Sequence, residues 1–258
     1  MNGPRTLGVV FMPEERERLR DALVLVAGSD PRVTGAALTG SSAAGGEDRW
    51  SDIDLALGIA DGADFGQTIA DWTGRMYREH GALHHVDVTR GASVYRVFLL
   101  DSTLQVDLAF SPAAEFGAIA PTFRLLFGTA STQRAASSPD AAQLIGLGWL
   151  HALHARSSIV RGRVWQAEYM VSGVRDHVLA LACLRHGVPA IQGRGIDRLP
   201  PEATAAAAGA LVCSLDLPEI RRAFGVATEA LLVEIAQADG ALVSRVEVAL
   251  RELAGKRS

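Results

Sequence analysis

The sequence predicts an α/β (α+β) N-terminal half built on a mixed sheet, followed by an all-α half that packs as a helical bundle. Up to about residue 112, short runs of alternating apolar and polar residues, the mark of half-buried strands, are interleaved with helical stretches. Beyond about residue 140 the apolar positions recur almost throughout at helical spacing. The chain has 258 residues, 48% of them hydrophobic and 21% charged, enough apolar surface for a substantial core. The expected organisation is a first domain over 1–112, a linker over 113–139 and a helical domain over 140–258.

Pro13 opens the first helix, with Glu14 and Glu15 in the turn where the helix dipole favours acids. Leu19, Leu23, Val24 and Val26 give it an apolar face to about Ala27, and Gly28-Ser29-Asp30-Pro31 stops it. A strand is expected over 33–39, a Gly/Ser/Ala-rich loop over 40–51, and a second strand over 52–59. In that strand Ile53, Leu55, Leu57 and Ile59 alternate with Asp52, Asp54, Ala56 and Gly58. A helix over 61–80 carries Phe65, Ile69, Trp72 and Met76 along one stripe. Strands over 83–88, 94–100 and 104–110 follow, the last two joined by a tight turn at Asp101-Ser102. Residues 121–138 read as irregular. Helices are expected near 140–161, 163–186, 201–213, 217–237 and 240–254, with Gly187 and Pro189 ending the second.

Asp52 and Asp54 stand two apart on a strand, so both carboxylates point to one face while Ile53 and Leu55 point to the core. Paired carboxylates raise each other's pKa unless a cation lies between them, and hard oxygen ligands in a pair suit Mg²⁺. Gly40 ends the preceding strand where backbone must approach something closely, and Ser41 and Ser42 bring hydroxyl and N–H groups that phosphate oxygens accept. In LQVDLAF, Asp107 also leaves the core. If its strand lies beside that of Asp52, three carboxylates converge as two-metal phosphoryl chemistry requires. Asp87 is the rival third acid.

The pattern Gly40-Ser41, ten intervening residues, Asp52-Ile53-Asp54, then a strand aspartate resembles the nucleotidyltransferase fold shared by DNA polymerase beta and the antibiotic nucleotidyltransferases. The segment GSSAAGGEDRWSDIDLAL is similar to the motif of small bacterial enzymes that adenylylate aminoglycosides or lincosamides. The resemblance implies a nucleotidyltransferase domain over 1–112, a helical acceptor-binding domain after it, Mg²⁺ on Asp52, Asp54 and Asp107, and ATP or another nucleoside triphosphate as substrate. Transfer of AMP to a hydroxyl of a small acceptor, such as an aminoglycoside- or lincosamide-like antibiotic, would release pyrophosphate. The kanamycin-type members use a helical glutamate as base, and Glu168 matches it. The lysine found one turn later is replaced by Ser172, with Arg175 two turns on as its substitute; Asp107 is the other candidate base. Arg49, in the loop before Asp52, is a candidate contact for triphosphate or base. Two further readings stand beside this one: modification of RNA or of a protein, and a non-catalytic nucleotide-binding regulatory module.

Composition narrows these. The net charge is −4, without a basic stripe, which argues against nucleic acid as partner. Lysine occurs once, at Lys256, which excludes a P-loop and leaves phosphate contacts to Arg, Ser, backbone and metal. Cys183 and Cys213 have no disulfide or zinc spacing and read as small buried hydrophobes of a reducing compartment. No run approaches a membrane span and 7–12 is too short for a signal core, so a cytoplasmic location is expected.

Overall fold

The computed structural model describes residues 11–118, 122–132 and 139–255. The stretch 7–10, residues 133–138 of the irregular segment and Lys256 lie outside them. The chain divides into two compact units, Met1–Ala136 and Ser137–Ser258.

The first unit contains helix α1 (Pro13–Ser29), strand β1 (Val33–Thr39), the short helix α2 (Gly40–Ala44), β2 (Ile53–Ile59), α3 (Phe65–Glu79), β3 (Ala82–Arg90), β4 (Ser93–Leu100), β5 (Gln105–Pro112) and β6 (Phe123–Gly128). The six strands form one sheet in the order β3-β4-β5-β2-β1-β6. Only the central pair, β2 and β5, runs parallel; the other four pairings are antiparallel. The alternation in β2 and β5 sends Ile53, Leu55, Leu57, Ile59, Val106, Leu108 and Phe110 to one face, all fully buried. There they meet Leu23 and Ala27 of α1 and Ile69, Trp72 and Met76 of α3 in one core. At ~25 cal/mol per Å² of buried apolar surface, this single layer is the main stabiliser of the unit.

Helix α3 starts at Phe65, later than position 61, because the Asp64 carboxylate accepts from the Gln67 N–H and caps it there. Helix α2 falls where a loop is expected; one turn of five residues carries no apolar period to reveal it. The expected linker 113–139 contains β6, which pairs antiparallel with β1. Phe123, Leu125 and Phe127 alternate there, but the run is short and flanked by breakers.

The second unit holds α4 (Ala141–Val160), α5 (Val164–Arg185), α6 (Pro201–Gly209), α7 (Leu217–Ala238) and α8 (Gly240–Leu253). Its core joins Ile145, Ala152, Ala155, Val171, Val174, Val178, Phe224, Ala227 and Leu231, and the many alanines suit close helix packing. Buried Glu234 of α7 takes a two-pronged ion pair from Arg185 of α5 at 2.7 and 3.1 Å. Helix α6 stops at Gly209, not 213, so Cys213 is exposed, contrary to expectation, while Cys183 is buried and its thiol is pushed up by that burial.

Candidate active site

The parallel register sets Asp54 opposite Asp107 and Ile53 opposite Val106. Paired residues share a face, so Asp54 and Asp107 lie together on the side away from the core. Asp52, two residues before Asp54 on an extended chain, joins them. One carboxylate oxygen from each of the three lies within 4.8 Å of the others. All three side chains are half-buried. Burial pushes the Asp107 carboxyl up to about 6; the hydrogen bond from Gln105 opposes that shift, and the charge of Asp52 adds to it. Gln105 donates from Nε2 to Asp107 Oδ1 at 2.9 Å and to Asp52 Oδ2 at 3.3 Å. Three crowded hard oxygens, one of them reluctant to ionise, are the donor set a divalent cation fits.

Gly40 is required twice over. Its φ of +59° lies in the left-handed region, and a Cβ there would run into the Asp54 carboxylate, with Asp54 Cγ only 2.8 Å away. Ser41 sits half-buried in the first turn of α2. Ser42 is placed differently from expectation. It is buried, and its hydroxyl donates to Glu47 Oε1 at 2.7 Å. Its hydroxyl is thereby turned to the loop, which leaves the phosphate expectation on Ser41 and on backbone groups.

Glu47 anchors that loop. Arg20 donates to both its oxygens at 2.9 Å, and Arg16, 3% exposed, lies 3.6 Å away. Arg16 also donates to the carbonyls of Asp48 and, at 3.2 Å, Ser51. Burial pushes the Glu47 carboxyl up, but Ser42, Arg20 and Arg16 outweigh it and hold it below its ordinary value. The chain entering Asp52 is therefore tied to α1 from both ends of the loop. Nothing in the helix pattern distinguishes Arg16 and Arg20 as these anchors. Gln105, by contrast, stands two before Asp107 on the same face, so strand alternation alone could have found it.

Asp87 is excluded from the cluster by register. Val86 pairs with Val97 and Val97 with Asp107, whereas Asp87 pairs with Arg96 and Arg96 with Leu108. Asp87 therefore lies on the opposite, core-side face. There Arg96 grips both its oxygens at 2.6 and 2.7 Å and holds its carboxyl below the ordinary value. The acid-bearing face of β3 and β4 carries His84 with Leu99, Val86 with Val97, Val88 with Tyr95 and, at its far end, Arg90 with Ser93. Val86 and Val88 are 56% exposed and Leu99 49%. A cavity of about 140 Å³ lies against His84, Val86, Val97, Leu99 and Gln105.

Arg49 is exposed, with its guanidinium carbon 5.1 Å from the centroid of the Trp50 ring. In the second unit, Glu168 of α5 accepts from the Ser172 hydroxyl at 2.7 Å. Trp165, three residues before Glu168 and on its face, is 73% exposed, and Tyr169, one turn after Trp165, is 67% exposed. Arg175 turns to its neighbour Asp176, donating to Oδ1 at 2.9 and 3.1 Å.

No helix of the described residues is long and apolar enough to cross a membrane. No family model matches the chain, and no curated protein matches it in sequence. Among solved structures, the chain is similar to an aminoglycoside 6-adenyltransferase from Bacillus subtilis at 12% identity with a TM-score of 0.40, over 93% of this chain and 98% of that one.

Proposed function

We propose that this protein is a nucleotidyltransferase that moves AMP from ATP to a hydroxyl of a small molecule and releases pyrophosphate. The observation that carries the reading is the convergence of Asp52, Asp54 and Asp107 within 4.8 Å, on strands that meet beside Gly40 and Ser41. Mg²⁺ held by these carboxylates would neutralise charge on the triphosphate as the acceptor oxygen bonds to the α-phosphorus and the bond to the β-phosphate breaks. Ser41, the backbone of α2 and Arg49 are the groups that would orient phosphates; Gly40 makes room for Asp54 beside them. The acceptor proton passes to a carboxylate, Glu168 or Asp107. Arg175 keeps a secondary role in phosphate contact, since its guanidinium is already paired with Asp176.

Our reading of the acceptor class rests on the sheet. β2 and β5 stand between β1, which leads into Gly40, and the face of β4 and β3 that carries Val86, Val88, Val97 and Leu99. An acceptor with an apolar body and one reactive hydroxyl, as in lincosamide-like compounds, suits that face better than a polycationic aminoglycoside does. The complete three-acid set disfavours a non-catalytic module, and the net charge of −4 disfavours RNA. We place the protein in the cytoplasm on the same reading.

The test is Mg²⁺-dependent pyrophosphate release from each nucleoside triphosphate against a panel of lincosamide- and aminoglycoside-type acceptors. Release with a small acceptor, lost in Asp52→Ala, supports the proposal. Labelling of RNA or protein instead favours the macromolecular reading. Absence of triphosphate binding, or binding indifferent to Asp52→Ala, refutes both. Loss of the acidic limb of the pH–rate profile in Glu168→Gln assigns the base to Glu168; an acidic limb left in place assigns it to Asp107.

A further inference from the structure

We infer that Gln105 is a positioning residue for the metal: its amide holds two of the three carboxylates in the orientation in which they receive a cation. The inference rests on reading Asp52, Asp54 and Asp107 as the metal set. Asp52 stands just before β2 and Asp107 on β5, and nothing in the covalent chain fixes their side chains relative to each other. Gln105 Nε2 reaches both, at 3.3 Å to Asp52 Oδ2 and 2.9 Å to Asp107 Oδ1. An amide nitrogen has two hydrogens, so it can serve both bonds, and each carboxylate keeps a second oxygen and spare lone pairs for a ligand. A neutral donor placed between two like charges also offsets their repulsion without adding a cation that would compete with the metal. Hydrogen-bonded partners of ligating carboxylates act in this way, and their loss typically costs about 10–100-fold in metal affinity.

Gln105 is exposed, so its replacement leaves the core intact. Gln105→Met keeps length and removes both donors; Gln105→Leu removes them with a shorter, branched side chain. Mn²⁺ binding to the full chain, followed by calorimetry or by the loss of the free-ion electron paramagnetic resonance signal, is the readout. The expected result is about tenfold weaker Mn²⁺ binding in both variants, with the circular dichroism spectrum of the folded parent chain retained. In turnover assays the Mg²⁺ concentration for half-maximal rate should rise by a similar factor, while kcat at saturating Mg²⁺ changes little. Parental affinity in both variants overturns the inference, and so does tighter binding, which would make the amide a competitor of the metal. Asp52→Asn and Asp107→Asn separate the two levels. If they bind Mn²⁺ like the parent, the three-acid site itself is wrong; if they lose it while the Gln105 variants do not, only the role of Gln105 falls.

Discussion

Asp107→Asn should make the metal-free protein more stable at about pH 8, although it removes a residue at the centre of the site. The carboxyl of Asp107 is pushed from 3.8 to about 6, first by burial and further by Asp52. Between those two values the folded chain keeps a proton that the unfolded chain has released, so stability falls as pH rises through the window and stays lowered above about 6. The full shift corresponds to at most about 3 kcal/mol. Asp107 keeps partial contact with water, which reduces the expected cost to roughly 1–2 kcal/mol. Asparagine carries no charge and still accepts from Gln105, so it escapes the penalty. Urea unfolding at a series of pH values, in chelator, should therefore show the variant ahead by roughly 1–2 kcal/mol above about pH 7, with the gap closing below about pH 4. Saturating Mg²⁺ should reverse the order, because only the parent chain gains binding energy, about 2.7 kcal/mol at a hundred times Kd. A variant that is less stable than the parent at high pH without metal, or a gap that does not vary with pH, would refute the reasoning.

Gly40→Ala should lower stability by at least about 2 kcal/mol, from the left-handed backbone and the collision with Asp54, and should also weaken Mn²⁺ binding, both measurable on one purified sample. Glu47→Gln, which leaves Arg16 and Arg20 facing an amide, should cost roughly 2 kcal/mol near neutral pH. Because the Glu47 carboxyl is held low, its contribution is present above the ordinary glutamate value and is lost as pH falls through the lowered one; the deficit of the variant should shrink in acid unfolding experiments. Asp87→Asn breaks a half-exposed ion pair with Arg96 and should cost about 1 kcal/mol or less, while Mn²⁺ affinity stays as in the parent chain. A tenfold loss there would return Asp87 to the metal set.

Much of the site is legible in the sequence because it sits on strands. A period of two fixes which side chains share a face, so the pairing of Asp52 with Asp54 follows from their spacing alone. The ambiguity between Asp107 and Asp87 is of another kind. Each alternates correctly on its own strand, and only the cross-strand register, with Val86, Val97 and Asp107 in one row, tells the faces apart. Strand β6 escapes notice because an edge strand of six residues leaves a faint pattern beside breakers. The turn of Ser42 toward Glu47 is hidden for a different reason: it depends on Arg16 and Arg20, which lie more than twenty residues earlier and look like any other arginines on a charged helix.

The parallel pairing of β2 with β5 has a kinetic side. Antiparallel hairpins such as β3-β4 and β4-β5 close over short loops, but β2 meets β5 only after a helix and two strands have been spanned, a contact of high sequence separation and correspondingly slow formation. The closing of that pair is also the moment at which Asp54 is brought against Asp107. The chain thus brings two carboxylates together at a join between strands distant in sequence. If that join lies on the rate-limiting barrier, refolding in chelator should slow as pH rises through about 6 and recover in Asp107→Asn. A folding rate indifferent to both would place the meeting of the acids after the barrier, with the penalty appearing only in the unfolding rate.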